Sequence, residues 1–101
     1  MIFAFYLRDR PDSTELRRRL RPEHREYVGR VADRIAFAGG LLAEDGETRV
    51  GSLLVMDFPD KAAAEAWLQD EPFTKNGLYA SVEIQRFKNL WPQRTGFPEA
   101  P

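Results

Sequence analysis

The sequence contains no cysteine. That absence removes disulfide frameworks, thiolate metal sites and thiol nucleophiles together, and it fits a reducing compartment. Histidine is nearly absent too. With His24 alone, a transition-metal centre would need carboxylates and one imidazole, so no dedicated metal site is expected and an ion caught at His24 would say little about function. An excess of either charge is missing: 15 basic and 16 acidic side chains leave a formal −1. No overall field draws the chain to polyanions or acidic lipid, so neither nucleic acid nor membrane is expected as a partner. Long apolar runs are also lacking. The stretch Ile2 to Leu7 is too short for the apolar region of a signal peptide or a membrane span, and a soluble cytoplasmic protein is expected.

What is present suits one compact domain: 101 residues, 43% hydrophobic and 31% charged, well away from disordered compositions. A chain this short buries a modest fraction of its surface, so a face shared with a second copy would stabilise it. Ile2-Phe3-Ala4-Phe5-Tyr6-Leu7 is apolar at both alternating sets of positions and reads as a strand covered on both faces. Asp12 with Glu15 three positions on resembles a capping box opening a helix. From Leu16 the apolar positions Leu20, Val28, Val31 and Ile35 form one inward stripe, on which His24 also falls. Pro22 predicts a break near Arg21, with a new helix starting there and His24 in its first turn. Gly39-Gly40 predicts the helix stop.

Leu41 to Glu44 and Val50 to Phe58, joined around Asp45-Gly46, predict a β-hairpin. Pro59-Asp60 opens an alanine-rich helix with Ala63, Ala66 and Trp67 inward, ending at Pro72. Leu78 to Phe87 alternates Ala80, Val82 and Ile84 with Ser81, Glu83 and Gln85, as a half-buried strand does. The order β-α-β-β-α-β is that of an α+β, ferredoxin-like split-βαβ sandwich, an antiparallel sheet with helices on one face. Its other face is then bare although two strands are apolar on both sides, so a homodimer through the sheet face is expected. Residues 89–101, with Trp91-Pro92 and Phe97-Pro98, form a proline-rich C-terminal tail whose aromatics could drape over a neighbouring surface.

Several landmarks recur in order along this frame: Arg21-Pro22-Glu23-His24 after an arginine-rich run, Ala38-Gly39-Gly40-Leu41, Gly51-Ser52, and Glu71-Pro72-Phe73 followed by Gly77-Leu78. Together they resemble the YciI-like, or YCII-related, family over residues 1–88. The resemblance implies a ferredoxin-like fold assembled as a dimeric α+β barrel, with a pocket holding a histidine and an aspartate just before a proline. One branch of the family eliminates chloride from a chlorinated hydroxyhydroquinone, which is an analogy for reaction type. His24 matches the histidine. At the carboxylate the sequence departs from the pattern: Glu71 precedes Pro72 and Asp70 stands one position earlier, so either could partner His24, with Glu71 favoured.

An imidazole is the side chain best matched to moving protons near neutrality. In a first turn the helix dipole would disfavour the imidazolium, Glu23 partly opposing this, and a carboxylate in reach would fix the tautomer. Gly51 could allow close backbone approach and Ser52 offer a hydroxyl to a substrate, although a strand start or bulge explains them equally well. Ser52 as a nucleophile lacks an indicated base. Tyr6 or Phe73 could stack on a ring-containing ligand, while their ordinary role is packing. The arginines at 17, 18, 19 and 21 read as a solvated helix face paired with Glu15 and Glu23 before they read as an anion site. Two hypotheses lead: a cofactor-independent enzyme (elimination, isomerisation or hydrolysis) using His24 with Glu71 or Asp70, and a non-catalytic small-molecule-binding or accessory domain with the same pocket. A cofactor-independent monooxygenase shares the architecture without the landmarks and ranks last.

Overall fold

The computed structural model describes residues 1–91, and the Phe97-Pro98 part of the tail, with the rest of 92–101, lies outside the described residues. Strand β1 spans Ile2–Asp9, helix α1 Thr14–Gly29, a 3-10 turn Ala32–Arg34, β2 Ile35–Leu42, β3 Arg49–Asp57, α2 Lys61–Gln69, the one-turn α3 Pro72–Lys75, and β4 Tyr79–Arg86. The sheet is antiparallel in the order β2-β3-β1-β4. This is the expected split βαβ, with α3 as an addition.

Alternation in the two central strands decides where the core lies. Phe3, Phe5 and Leu7 of β1 and Leu54 and Met56 of β3 pack with Phe58, Ala64 and Leu68, so the helices cover this face. A second cluster joins Leu20 of α1 to Phe73 and Leu78. The alternate residues of β1 fare differently: Ala4 is half-buried and Tyr6 is 39% exposed. Tyr6 pairs across the ladder with Leu53 and Glu83, on the face without helices. Among the described residues no helix is long and apolar enough to cross a membrane.

Local chemistry explains the boundaries that were predicted. Asp45 closes the β2–β3 hairpin by accepting from the backbone N–H of Glu47 and Thr48, both at 2.9 Å, and from the Thr48 hydroxyl at 2.6 Å. Asp60 caps α2, accepting from the Ala63 N–H at 2.8 Å. Pro72 ends the α2 region, as expected, and also opens α3, where its fixed φ and missing N–H suit a first position.

Other expectations fail for identifiable reasons. Helix α1 runs through Pro22 without a break. Pro22 is exposed, so the carbonyl that loses its partner can be solvated, while Arg17 and Leu20 before it and His24, Tyr27 and Val28 after it are held by burial. His24 therefore stands in the middle of a helix, and the first-turn dipole argument lapses. Asp12 does not cap: it has a φ of 58°, Ser13 occupies the cap position without a side-chain bond, and Glu15 instead pairs with Arg18 at 2.7 Å. The helix stops at Gly29, and Gly39-Gly40 lies inside β2. Val31 and Ile35 continue the inward stripe only in burial, from a turn and a strand. In α2 the buried positions are Ala64 and Leu68, with Ala66 exposed. Strand β4 is a sheet edge, and only Tyr79 and Ile84 of it are even half-buried.

Candidate functional site

Three elements bring the site together. Helix α1 presents Arg17 and, two turns further along the same side, His24. The corner between α2 and α3 presents Glu71 and Phe73, and the β1–β3 ladder presents Asp9 and Ser52. Glu71 is 1% exposed at its side chain and His24 14%.

Glu71 Oε1 is hydrogen-bonded to His24 Nδ1. The same carboxylate accepts from the N–H of Phe73 at 3.0 Å and of Thr74 at 3.2 Å, and from the Thr74 hydroxyl at 3.3 Å. It thereby caps α3 while it orients the imidazole. An ionised carboxylate only accepts, so for a neutral imidazole this bond selects the tautomer with the hydrogen on Nδ1 and the lone pair on Nε2. The imidazole lies flat on the ring of Phe73, with centroids 3.9 Å apart and planes 11° from parallel. Hydrogen bond and stack together fix both the position and the plane of the ring.

On its other contacts Phe73 meets the Arg17 guanidinium, 4.7 Å from its centroid, and the edge of Tyr79. Arg17 is itself buried and paired with Asp9, Nε to Oδ2 at 2.7 Å and Nη2 to Oδ1 at 3.2 Å. Its Nη2 also donates to Ser52 Oγ at 2.8 Å, and Ser52 meets the Tyr79 hydroxyl at 3.5 Å. Burial raises the Tyr79 pKa above the ordinary tyrosine value, with the Glu71 charge adding to it.

Beside His24 opens a cleft of about 390 Å³ between α1 and the β2–β3 edge of the sheet. Arg21, His24 and Arg25 line it from α1, and Gly40, Arg49 and Ser52 from the strands. A Cβ added at Gly40 would stand 3.0 Å from Cδ of Arg49, so the arginine side chain lies across the glycine. Among the described residues no three His, Asp or Glu side chains converge on a common metal position.

The residues singled out in the sequence fall into two groups. His24, Glu71, Phe73 and Ser52 come together. Phe73, wholly buried, holds the imidazole and has no face left for a ligand. Asp70 is exposed at the end of α2, and the imidazole's hydrogen bond goes to Glu71. Tyr6 lies on the opposite sheet face, its hydroxyl accepting from Arg8 at 3.2 Å. Gly51 is absent from the cleft wall, and it is glycine because a Cβ would run into the carbonyl oxygen of Leu7 on the neighbouring strand. The arginines also divide. Arg18 pairs with Glu15 as a solvated face does, whereas Arg17 is buried and Arg21 faces the cleft. Asp9, Arg25, Arg49 and Tyr79 were missed. The helical spacing of Arg17, Arg21, His24 and Arg25 was a usable signal, since these positions share one side of a helix.

A split-βαβ domain with a buried histidine–carboxylate pair at the edge of a small cationic cleft is the class that fold and geometry define. The family model of the YCII-related domain matches residues 1–88, and the chain belongs to that family. It is 30% identical to Protein YciI of Escherichia coli, and equally to that of Shigella flexneri, over 90% of this chain and 100% of each relative. An uncharacterized protein of Haemophilus influenzae is 26% identical over the same shares. Among solved structures, 5-chloro-2-hydroxyhydroquinone dehydrochlorinase (TftG) of Burkholderia phenoliruptrix, in complex with 2,5-dihydroxybenzoquinone, superposes with a TM-score of 0.81 at 28% identity, covering 87% of this chain and 94% of that one.

Proposed function

We propose that this protein is a small cofactor-independent enzyme of the elimination (lyase) type, working on a small hydroxylated or aromatic substrate in the cytoplasm as a homodimer of the 1–88 domain, and that His24 is its general base and Glu71 its partner. One observation carries the reading: the imidazole at the cleft is hydrogen-bonded through Nδ1 to a buried carboxylate, which leaves Nε2 free to accept a proton. In the proposed step Nε2 takes the proton from a substrate C–H or O–H bond. The released electron pair forms a new π-bond, and the leaving group departs with its bonding pair. Glu71 stabilises the imidazolium, as a carboxylate beside a histidine base does. The likeness to a dehydrochlorinase supports elimination over isomerisation or hydrolysis by analogy.

Dimer formation rests on the bare sheet face. Tyr6 of the central β1 is 39% and Phe37 of the edge strand β2 42% exposed, and their partners Leu53 and Val55 alternate with the core-facing Leu54 and Met56, on the side without helices. A stable monomer in light scattering at micromolar concentration would sink this part.

The test of the reaction is turnover of chlorinated and unchlorinated hydroxyhydroquinones by wild type and His24→Ala. Loss of about 10²–10⁴ in rate is expected for the variant. Binding in both proteins with turnover in neither would make the domain a binding module instead.

A further inference from the structure

The proposed base sits in unusual company. Arg21, Arg25 and Arg49 line the same cleft as His24, and the ion pairs among the described residues engage Arg17, Arg18 and Arg30 but none of these three. Arg17, the fourth arginine of the cleft wall, is already neutralised by Asp9. Gathering like charges without counter-charge raises the energy of the empty site. The effect is visible at Arg21, whose pKa is lowered from the ordinary arginine value, first by the charge of Arg49 and then by slight desolvation and by Arg25 and Arg17. Surface arginines free to choose would spread apart. The backbone sets these close together: Arg21 and Arg25 are on adjacent turns of one helix, and the Arg49 side chain packs against Gly40 on the facing strand edge.

We infer that the cleft takes a small organic dianion, its negative oxygens met by Arg21, Arg25 and Arg49, with the ring or chain between them placed against His24. A volume of about 390 Å³ is room enough for a ligand of one ring. Guanidinium groups bind planar oxyanions in pairs of parallel hydrogen bonds, which carboxylates and ring enolates both accept. The inference deepens the proposed function by naming the charge class of the substrate, and it rests on that reading only for the part played by His24.

The test is calorimetric titration with three probes: 2,5-dihydroxybenzoquinone, whose two acidic enols are ionised at neutral pH; phthalate, a dicarboxylate of one ring; and hydroquinone, neutral and of the same size. The two dianions should bind more tightly than hydroquinone and weaken as salt rises from about 20 to about 200 mM. Arg21→Gln and Arg49→Gln should each weaken dianion binding about tenfold and leave hydroquinone unaffected. Both residues are exposed, so circular dichroism should show an unchanged fold. Arg19→Gln, an equal charge change on the same helix outside the cleft, should do nothing. A preference of phthalate over the quinone, or the reverse, assigns the oxyanion as carboxylate or enolate. Hydroquinone binding as tightly as the dianions, or dianion binding indifferent to Arg21 and Arg49, overturns the inference. Arginine-dependent binding of the dianions with no turnover of the chlorinated hydroxyhydroquinone supports it and defeats the enzyme reading, whereas turnover of that chlorinated substrate indifferent to salt and to Arg21 and Arg49 defeats it and leaves the enzyme reading standing.

Discussion

Helix α1 makes two pairs with carboxylates two turns apart, both packed on the ring of Phe73, and they differ in chemistry. Arg17–Asp9 joins a permanent cation to a carboxylate through two hydrogen bonds, with both side chains under a tenth exposed. His24–Glu71 joins a group that can gain and lose a proton to a carboxylate anchored by backbone N–H groups. The first pair holds α1 to the sheet, and the second ties α1 to the α2–α3 corner. For the proposed general base, the contrast supplies a fixed geometry around a side chain able to exchange a proton.

The comparison breaks if the two pairs respond alike to mutation. Arg17→Leu strands the buried Asp9 carboxylate and should cost about 3–5 kcal/mol of stability, read from the urea midpoint. The double variant Arg17→Leu with Asp9→Leu should recover much of that loss. Glu71→Ala should come next, about 2–3 kcal/mol, because the amides of Phe73 and Thr74 lose their acceptor along with His24. His24→Leu should cost about 1 kcal/mol or less, since Glu71 keeps its other donors. A His24→Leu loss as large as that of Arg17→Leu would erase the distinction. The smallest effect is alkaline. Tyr79 has a folded-state pKa above its unfolded value, so the folded form holds that proton more tightly. Its contribution is complete below about pH 10 and declines as pH rises beyond it. Tyr79→Phe should flatten that alkaline decline in thermal melts.

The sequence revealed most where one residue decides a local structure. Asp45-Gly46 and Asp60 act on neighbours within a few positions, and both were legible. His24 was legible because no other histidine competes with it. Pro22 and Gly39-Gly40 misled because their intrinsic preferences were overridden: burial on both sides of Pro22 carries α1 through it, and ladder pairing with Leu53 and Ser52 draws Gly39-Gly40 into β2. Arg17, Asp9 and Arg49 stayed hidden for a different reason. Their roles depend on which strand lies beside which helix, and a charged residue carries no mark of being buried until its partner is in place.

The imidazole and its carboxylate are 47 positions apart in the chain. Neither local helix formation nor the β2–β3 hairpin can unite them, so the pair exists only once the α2–α3 corner has docked on α1, an event of high contact order. The pair would therefore form late in folding, and a fraying of the single turn after Pro72 would release His24 while the larger cluster of β1, β3 and α2 stayed closed. Amide exchange at Phe73 and Thr74 would then report, in one measurement, the population of molecules in which Glu71 holds His24.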